Sequence, residues 1–154
     1  MNLVRLLFGV NGRIGRAALW LAVLIWAVVV IVVLGVVTMI ATIEAALRVG
    51  LLTCAVALLS AIAVGIKRLH DRNKNPLWLL MFYGVPMGLL YVTAMLTEGA
   101  DPASQPTIVS VLGYVWLAAL LWALVELGMI RGTIGPNPHG PDPVAPKPAP
   151  ARAH

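Results

Sequence analysis

The stretch that decides the fold is Lys67–Pro76, KRLHDRNKNP, which we call the polar island. It contains four of the eleven basic residues of the chain, one of its six acidic residues and one of its three histidines. The sequence on either side of it is almost entirely apolar. A short polar segment between two long apolar runs is typical of a loop that connects two membrane-spanning helices.

The composition of the whole chain also indicates a membrane protein. Of its 154 residues, 60% are hydrophobic and only 11% are charged, and the mean hydropathy is +0.93. A soluble domain is about 45–50% apolar and about 25% charged. A soluble fold could not cover this much apolar surface, so lipid must be the main solvent. The net charge of +5 does not predict nucleic-acid binding, because so few charges form no basic groove.

Four apolar runs approach or exceed the roughly 20 residues that a membrane-spanning helix needs. The first, Ala17–Ile43, is much longer than the apolar core of a signal peptide, about 7–15 residues, so we interpret it as an uncleaved helix. Glu44 and Arg48 indicate a turn after it. Pro86 lies inside the third run, where it should kink the helix. The predicted spans cover approximately residues 17–42, 49–66, 77–97 and 107–130.

The basic residues predict the orientation of these spans. Ten of the eleven fall in the N-terminal arm, the polar island and the part of the chain from Arg131 onwards, and Arg48 alone falls on the other side. Because Lys and Arg accumulate in cytoplasmic loops, we expect both termini in the cytoplasm. The predicted fold class is therefore an all-α, four-helix membrane bundle. It comprises a membrane domain at residues 1–143 and a proline-rich tail at residues 144–154, which we predict to be disordered.

This topology brings three polar segments to the same membrane face. They are the N-terminal arm around Arg13, the Arg68–Asp71 part of the polar island, and Gly132–Pro143, GTIGPNPHGPDP. We predict that they form one polar cap, in which His70 or Asp71 contacts the arm or the C-terminal segment. The candidate cap or binding residues are Arg13, Arg16, Trp20, Arg68, His70, Asp71, Asn137 and Asp142.

The same segments contain spaced motifs: FxxxGRxxRxxxW, KRLHDxxxxxxW and GTxGPNxxGPDP, in this order over Phe8–Pro143. Together they resemble a bacterial inner-membrane family known as domain of unknown function 805 (DUF805). The chain departs from the family pattern at Ala18 and Leu19, where an acid and an aromatic residue are usual, and at His139, where tyrosine is common. The resemblance implies a four-span protein of the bacterial inner membrane. It implies no particular activity.

His70 beside Asp71 is the most obvious candidate for catalysis, since a carboxylate can orient an imidazole as a base. However, adjacent residues of a helix point about 100° apart, and no Ser or Cys nucleophile lies nearby in the sequence. Motifs for metals, phosphate loops and redox cysteines are also absent from the sequence. We therefore predict no enzyme activity, no cofactor and no metal. Two interpretations stay open: a polar network that fixes helix register, or a site for anionic headgroups.

Glu126 is an acid within the fourth apolar run. Intramembrane acids often mark proton or ion pathways, but this one is close to Arg131 and could pair there, so we favour a structural role. We predict a membrane binding or scaffold module whose cap contacts anionic lipid, a membrane-protein partner or a second copy of the chain. Nucleic acid is not an expected partner. The alternative is a small transporter or channel component that uses the Pro86 kink and Glu126.

Overall fold

The computed structural model describes residues 2–99 and 107–145. Within these ranges the regular structure is helical, apart from an isolated bridge between Asn137 and Gly140. Four helices are long and apolar enough to cross a membrane, which confirms the predicted all-α architecture with four potential spans. Most of the predicted tail, and most of the loop before the fourth span, lie outside the described residues.

The chain begins with a short helix and continues with the four long ones, two of which contain a wider π-helical segment. The third span, Leu80–Thr97, consists of π1 and α4, and the fourth, Thr107–Met129, consists of α5 and π2. The elements in chain order are α1 (Leu3–Phe8), α2 (Arg16–Ile40), α3 (Ile43–Asp71), π1 (Leu80–Gly84), α4 (Val85–Thr97), α5 (Thr107–Ala123) and π2 (Leu124–Met129).

The turn between α2 and α3 lies earlier than the charged residues predict. It is formed by Ala41 and Thr42, and Thr42 caps α3 by accepting a hydrogen bond from the N–H of Ala45 at 3.4 Å. Glu44 and Arg48 therefore belong to the first turns of α3, where they form an exposed ion pair at 3.5 Å. A capping threonine starts a helix regardless of the charges that follow it, which explains the shift.

Helix α3 also continues beyond its apolar run into the polar island. Its 29 residues span about 43 Å at roughly 1.5 Å per residue, against a hydrocarbon core of about 30 Å. The first half of the island, Lys67–Asp71, is thus helical. The second half turns the chain back through Asn73, whose φ of 53° lies in the left-handed region. Asparagine tolerates this conformation better than most residues do.

Pro86 lies at a junction between two helical segments, where π1 ends and α4 begins. The N–H of Val85 reaches back five residues to the carbonyl oxygen of Leu80, as expected in a π-helix. Gly84 and Val85 already have helical backbone angles, so Pro86 lies within a continuous helical run and removes one N–H donor from it. The expected local distortion therefore takes the form of a π-helical turn before the proline.

The hairpins α2–α3 and α4–α5 are joined near the polar island. Among the described helices, Cα atoms of the two hairpins approach within 8 Å only where π2 meets α2 and α3. Gly65 allows close packing of α3 against the start of the third span, since a Cβ atom would lie 2.7 Å from Leu79. An apolar cleft of about 480 Å³ lies between the hairpins, and its lining includes Trp20 of α2 and Leu127 of π2. The buried apolar core beneath the island is Leu6, Ile14, Leu19, Ala22, Val64, Leu69, Leu79, Phe82, Ala123 and Leu127.

Candidate functional site

Asp71 lies at the centre of the polar cap, between two arginines. Its Oδ1 accepts hydrogen bonds from Nε and Nη2 of Arg13 at 3.1 and 3.0 Å, and its Oδ2 accepts one from Nη1 of Arg68. The exposed fractions of the three side chains are 3% for Asp71, 1% for Arg13 and 0% for Arg68. Buried charges are stable only when they are paired and hydrogen-bonded, so these three groups depend on one another.

Arg13 also holds the segment that follows the fourth span. Its Nη1 donates to the carbonyl oxygens of Gly135 at 2.8 Å and Gly140 at 3.2 Å, and its Nη2 donates to the carbonyl oxygen of Thr133 at 2.6 Å. Together with Asp71, these acceptors occupy all five N–H groups of the guanidinium. Arg13 therefore ties the N-terminal arm, α3 and the C-terminal segment together.

The carbonyl oxygens of Leu127–Ile130, at the end of π2, accept hydrogen bonds from three side chains, those of Arg68, Arg16 and Trp20. The last carbonyls of a helix have no partner within it. Nε of Arg68 donates to the first of these four oxygens at 2.6 Å, and its Nη2 donates to the fourth. Nε1 of Trp20 donates to the second at 3.2 Å, and Nη1 of Arg16 donates to the third at 3.0 Å. The fourth span is thus anchored to α2 and α3 through its end.

The C-terminal segment covers the end of α3 in a matching way. The N–H and the hydroxyl of Thr133 donate to the carbonyl oxygen of Asp71 at 2.8 and 3.0 Å. Nδ2 of Asn137 donates to the carbonyl oxygen of His70 at 2.9 Å. Gly132 lies so close that a Cβ atom would overlap the Asp71 carboxylate. The predicted contact between the island and this segment is therefore present.

Asp142 stabilises the C-terminal segment from within, and no hydrogen bond joins its carboxylate to the island in the part of the chain that the structure describes. Its carboxylate accepts hydrogen bonds from the backbone N–H of Val144 at 2.9 Å and of Gly135 at 3.1 Å. These two donors hold the pKa of the Asp142 carboxyl below its ordinary value. The φ angles of Gly135 and Gly140, 81° and 133°, are reached easily by glycine alone.

His70 and Asp71 bind different groups and do not form a catalytic pair. Nδ1 of His70 lies 3.2 Å from the carbonyl oxygen of Gly12, whereas the Asp71 carboxylate faces Arg13 and Arg68. The ring of His70 stacks on that of His139, with 3.9 Å between centroids and 5° between planes. His70 thereby joins all three segments of the cap.

Glu126 is buried in π2 and pairs with the second half of the polar island. Its Oε1 lies 3.0 Å from Nη2 of Arg72 and also contacts Nζ of Lys74. Lys74 in turn lies over the ring of Trp78, 5.1 Å from its centroid. The predicted pairing with Arg131 is therefore wrong, because the island folds back towards π2 and places two other cations next to Glu126.

Sequence reasoning missed the role of α1 and Lys67. Lys67 is 3% exposed, and its Nζ donates to the carbonyl oxygens of Arg5, at 2.9 Å, and Leu6. Ser60 donates to the carbonyl oxygen of Leu7 at 2.8 Å. These bonds satisfy the end of α1 and dock it along α3. Asn2, which caps α1, was the available signal for this helix.

The three buried charges at the centre of the cap do not cancel. Arg13 and Arg68 share the single carboxylate of Asp71, so the buried cluster retains one positive charge. Within residues 2–99 and 107–145, no group of three or more His, Cys, Asp or Glu side chains could hold a metal ion. A cluster with an excess positive charge attracts negative groups.

Comparisons with known proteins agree with the motifs. The model of the family described as "Protein of unknown function (DUF805)" matches residues 7–141, which is most of the chain. Searches of curated proteins and of solved structures found no match. The resemblance inferred from the three motifs is thus confirmed: the chain belongs to the DUF805 family.

Proposed function

We propose that the protein is a binding and scaffold module of the bacterial inner membrane, whose cytoplasmic cap contacts anionic lipid. The observation that carries the proposal is the division of labour among its arginines. The side chains of Arg13 and Arg68 are buried and fully engaged in internal hydrogen bonds. Arg16, which makes one bond to the carbonyl oxygen of Met129, and Arg131 are exposed beside the end of the fourth span. A cation near a membrane surface attracts anionic lipid by about 1 kcal/mol.

The cytoplasmic orientation of the cap follows from charge asymmetry. The N-terminal arm, the polar island and the part of the chain from Arg131 onwards hold ten of the eleven basic residues, and such segments stay in the cytoplasm. A reporter that is active only in the periplasm, fused after Ile130, should be inactive, and the same reporter inserted beside Arg48 should be active. The opposite pattern would overturn this orientation.

The transporter alternative has less support from the geometry. Glu126 is neutralised by Arg72 and Lys74, so it is an ion-pair partner at the end of a span and does not stand alone at mid-membrane. Pro86 occupies the first turn of α4. Both residues thus have structural explanations within the described ranges, residues 2–99 and 107–145.

Lipid preference can be measured by quenching tryptophan fluorescence with brominated phospholipids in reconstituted bilayers. We expect brominated phosphatidylglycerol to quench more strongly than brominated phosphatidylcholine. The double variant Arg16→Gln/Arg131→Gln should lose up to about fivefold in preference per arginine, the equivalent of about 1 kcal/mol each. Arg48→Gln is the matched control, because Arg48 is exposed on the other side.

Equal quenching by the two lipids in the unaltered protein would overturn the lipid proposal. In that case, co-purification of a defined membrane protein, or a stable oligomer in mild detergent, would support a scaffold that acts through protein contacts. An effect of Arg48→Gln as large as that of the double variant would show that the preference does not come from the cap.

A further inference from the structure

A second cavity, of about 440 Å³, lies between α1, the segment that follows it, Lys67 and the C-terminal segment. This volume falls within the range of about 300–1,000 Å³ that is common for ligand sites. Its lining includes Arg5, Arg13, Lys67 and Asp142. Three elements that are distant in sequence therefore enclose a space that is polar on several sides.

The charges that line this cavity do not balance. The Asp142 carboxylate is satisfied by two backbone N–H groups, and the guanidinium of Arg13 is saturated by Asp71 and the C-terminal segment. Arg5 and Lys67 remain. Within residues 2–99 and 107–145, neither of them forms an ion pair with a carboxylate.

Lys67 is suited to contact a ligand directly. It is 3% exposed, and a lysine ammonium carries three N–H groups. Two of them are bonded to the carbonyl oxygens of Arg5 and Leu6, which leaves one for a group in the cavity. Because Lys67 is held by backbone atoms, its position is set before any ligand arrives, which reduces the entropy cost of binding.

We propose that this cavity binds a phosphate group, contacted by the guanidinium of Arg5 and the ammonium of Lys67; the inference rests on the proposed function as a binder of anionic groups. Guanidinium and ammonium groups together suit phosphate, which accepts several charge-assisted hydrogen bonds at once. The phosphate belongs either to a phospholipid headgroup or to a free phosphate ester. α1, which contributes Arg5 to the cavity, exposes the apolar residues Leu3 and Val4, as expected of a helix that lies at a membrane surface.

Binding is measured by calorimetric titration of the full chain in alkyl maltoside micelles, which contain no phosphate. The probes are inorganic phosphate, glycerol 3-phosphate and a short-chain phosphatidylglycerol. We expect saturable binding of at least one probe. Arg5→Gln should weaken it by about tenfold or more, the loss of one charge-assisted contact. Arg131→Gln, which removes an exposed cation outside the cavity, should change it less than about twofold.

The variants distinguish a specific phosphate site from general electrostatic attraction. Lys67→Gln should also weaken binding, but Lys67 holds α1 as well, so Arg5→Gln carries the test. Binding of the soluble probes assigns the site to a free phosphate, and binding of the lipid alone assigns it to a headgroup. No saturable binding of any probe, or equal weakening by Arg5→Gln and Arg131→Gln, would overturn the proposal. The lipid preference in bilayers would survive that failure, because it depends on Arg16 and Arg131.

Discussion

Replacing Asp71 with asparagine is the sharpest test of the polar cap. The substitution keeps the shape of the side chain and removes its charge. Two buried guanidinium groups, those of Arg13 and Arg68, then face a neutral amide whose NH₂ group has no acceptor on either of them. Both arginines keep their carbonyl partners, so the lost energy is that of the ion pairs.

Removing one partner from a buried ion pair costs about 3–5 kcal/mol. The side chains concerned are 3% exposed or less, so solvent screening does not reduce this value much. We therefore expect Asp71→Asn to lower the free energy of unfolding by about 3–5 kcal/mol, a factor of roughly 10² to 4 × 10³ in the folding equilibrium constant.

The free energy of unfolding can be measured by titration with sodium dodecyl sulfate in mixed micelles, and docking of the C-terminal segment by hydrogen exchange at the amide of Thr133, which bonds to Asp71. A double-mutant cycle with Arg13→Gln should give a coupling energy of about 1–3 kcal/mol. Glu44→Gln is the control: it breaks a pair whose side chains are 78% and 79% exposed and should cost less than about 0.5 kcal/mol. A loss below about 1 kcal/mol for Asp71→Asn, or zero coupling, would refute this account of the cap.

Three further perturbations test other parts of the cap. Gly132→Ala should destabilise the protein by about 1–3 kcal/mol, because its Cβ atom would overlap the Asp71 carboxylate; the same titration measures the loss. Glu126→Gln should cost about 1–3 kcal/mol in that assay, because it leaves two partly buried cations without a carboxylate. His70→Ala should loosen the cap, because it removes both the contact with the carbonyl oxygen of Gly12 and the stack on His139. A pair of spin labels on the arm and the C-terminal segment would report the increased separation.

Two of these tests have a matched control. Gly88→Ala adds a methyl group where no atom lies within 4 Å, and it should leave stability unchanged or slightly improved. A similar loss in Gly88→Ala and Gly132→Ala would contradict the steric explanation. His139→Tyr preserves an aromatic ring that can stack on His70, so its label distance should stay close to that of the unaltered protein. An equal increase of the label distance in His139→Tyr and His70→Ala would contradict the stacking explanation.

Sequence patterns alone predicted the membrane architecture and the composition of the cap. Four apolar runs sufficed for the spans because the length and hydropathy of a helix in lipid are local properties. Three spaced motifs sufficed for the family. Arg13, Asp71 and Asn137 were named together because an even number of spans returns their segments to the same face, and the structure shows all three in one network.

The identity of each partner could not be derived in the same way. Arg13 and Gly140 are 127 positions apart, and no local pattern indicates which carbonyl a guanidinium will reach. We expected Glu126 to pair with Arg131, which is close to it in the sequence, whereas the structure pairs it with Arg72 and Lys74. The turn at Asn73 causes this difference, because it directs the second half of the island towards π2.

The sequence by itself thus determined which residues meet at one membrane face. The apolar runs predict the spans, and an even number of spans between two segments places both segments on the same face. Only the tertiary structure decided what each charge does there: Asp71 is shared by two arginines, Lys67 docks α1, and Arg5 lines a cavity without a carboxylate partner among the described residues. These roles depend on the distances and burial that folding creates. A buried charge must find a partner, and a charge at the surface remains available for a ligand.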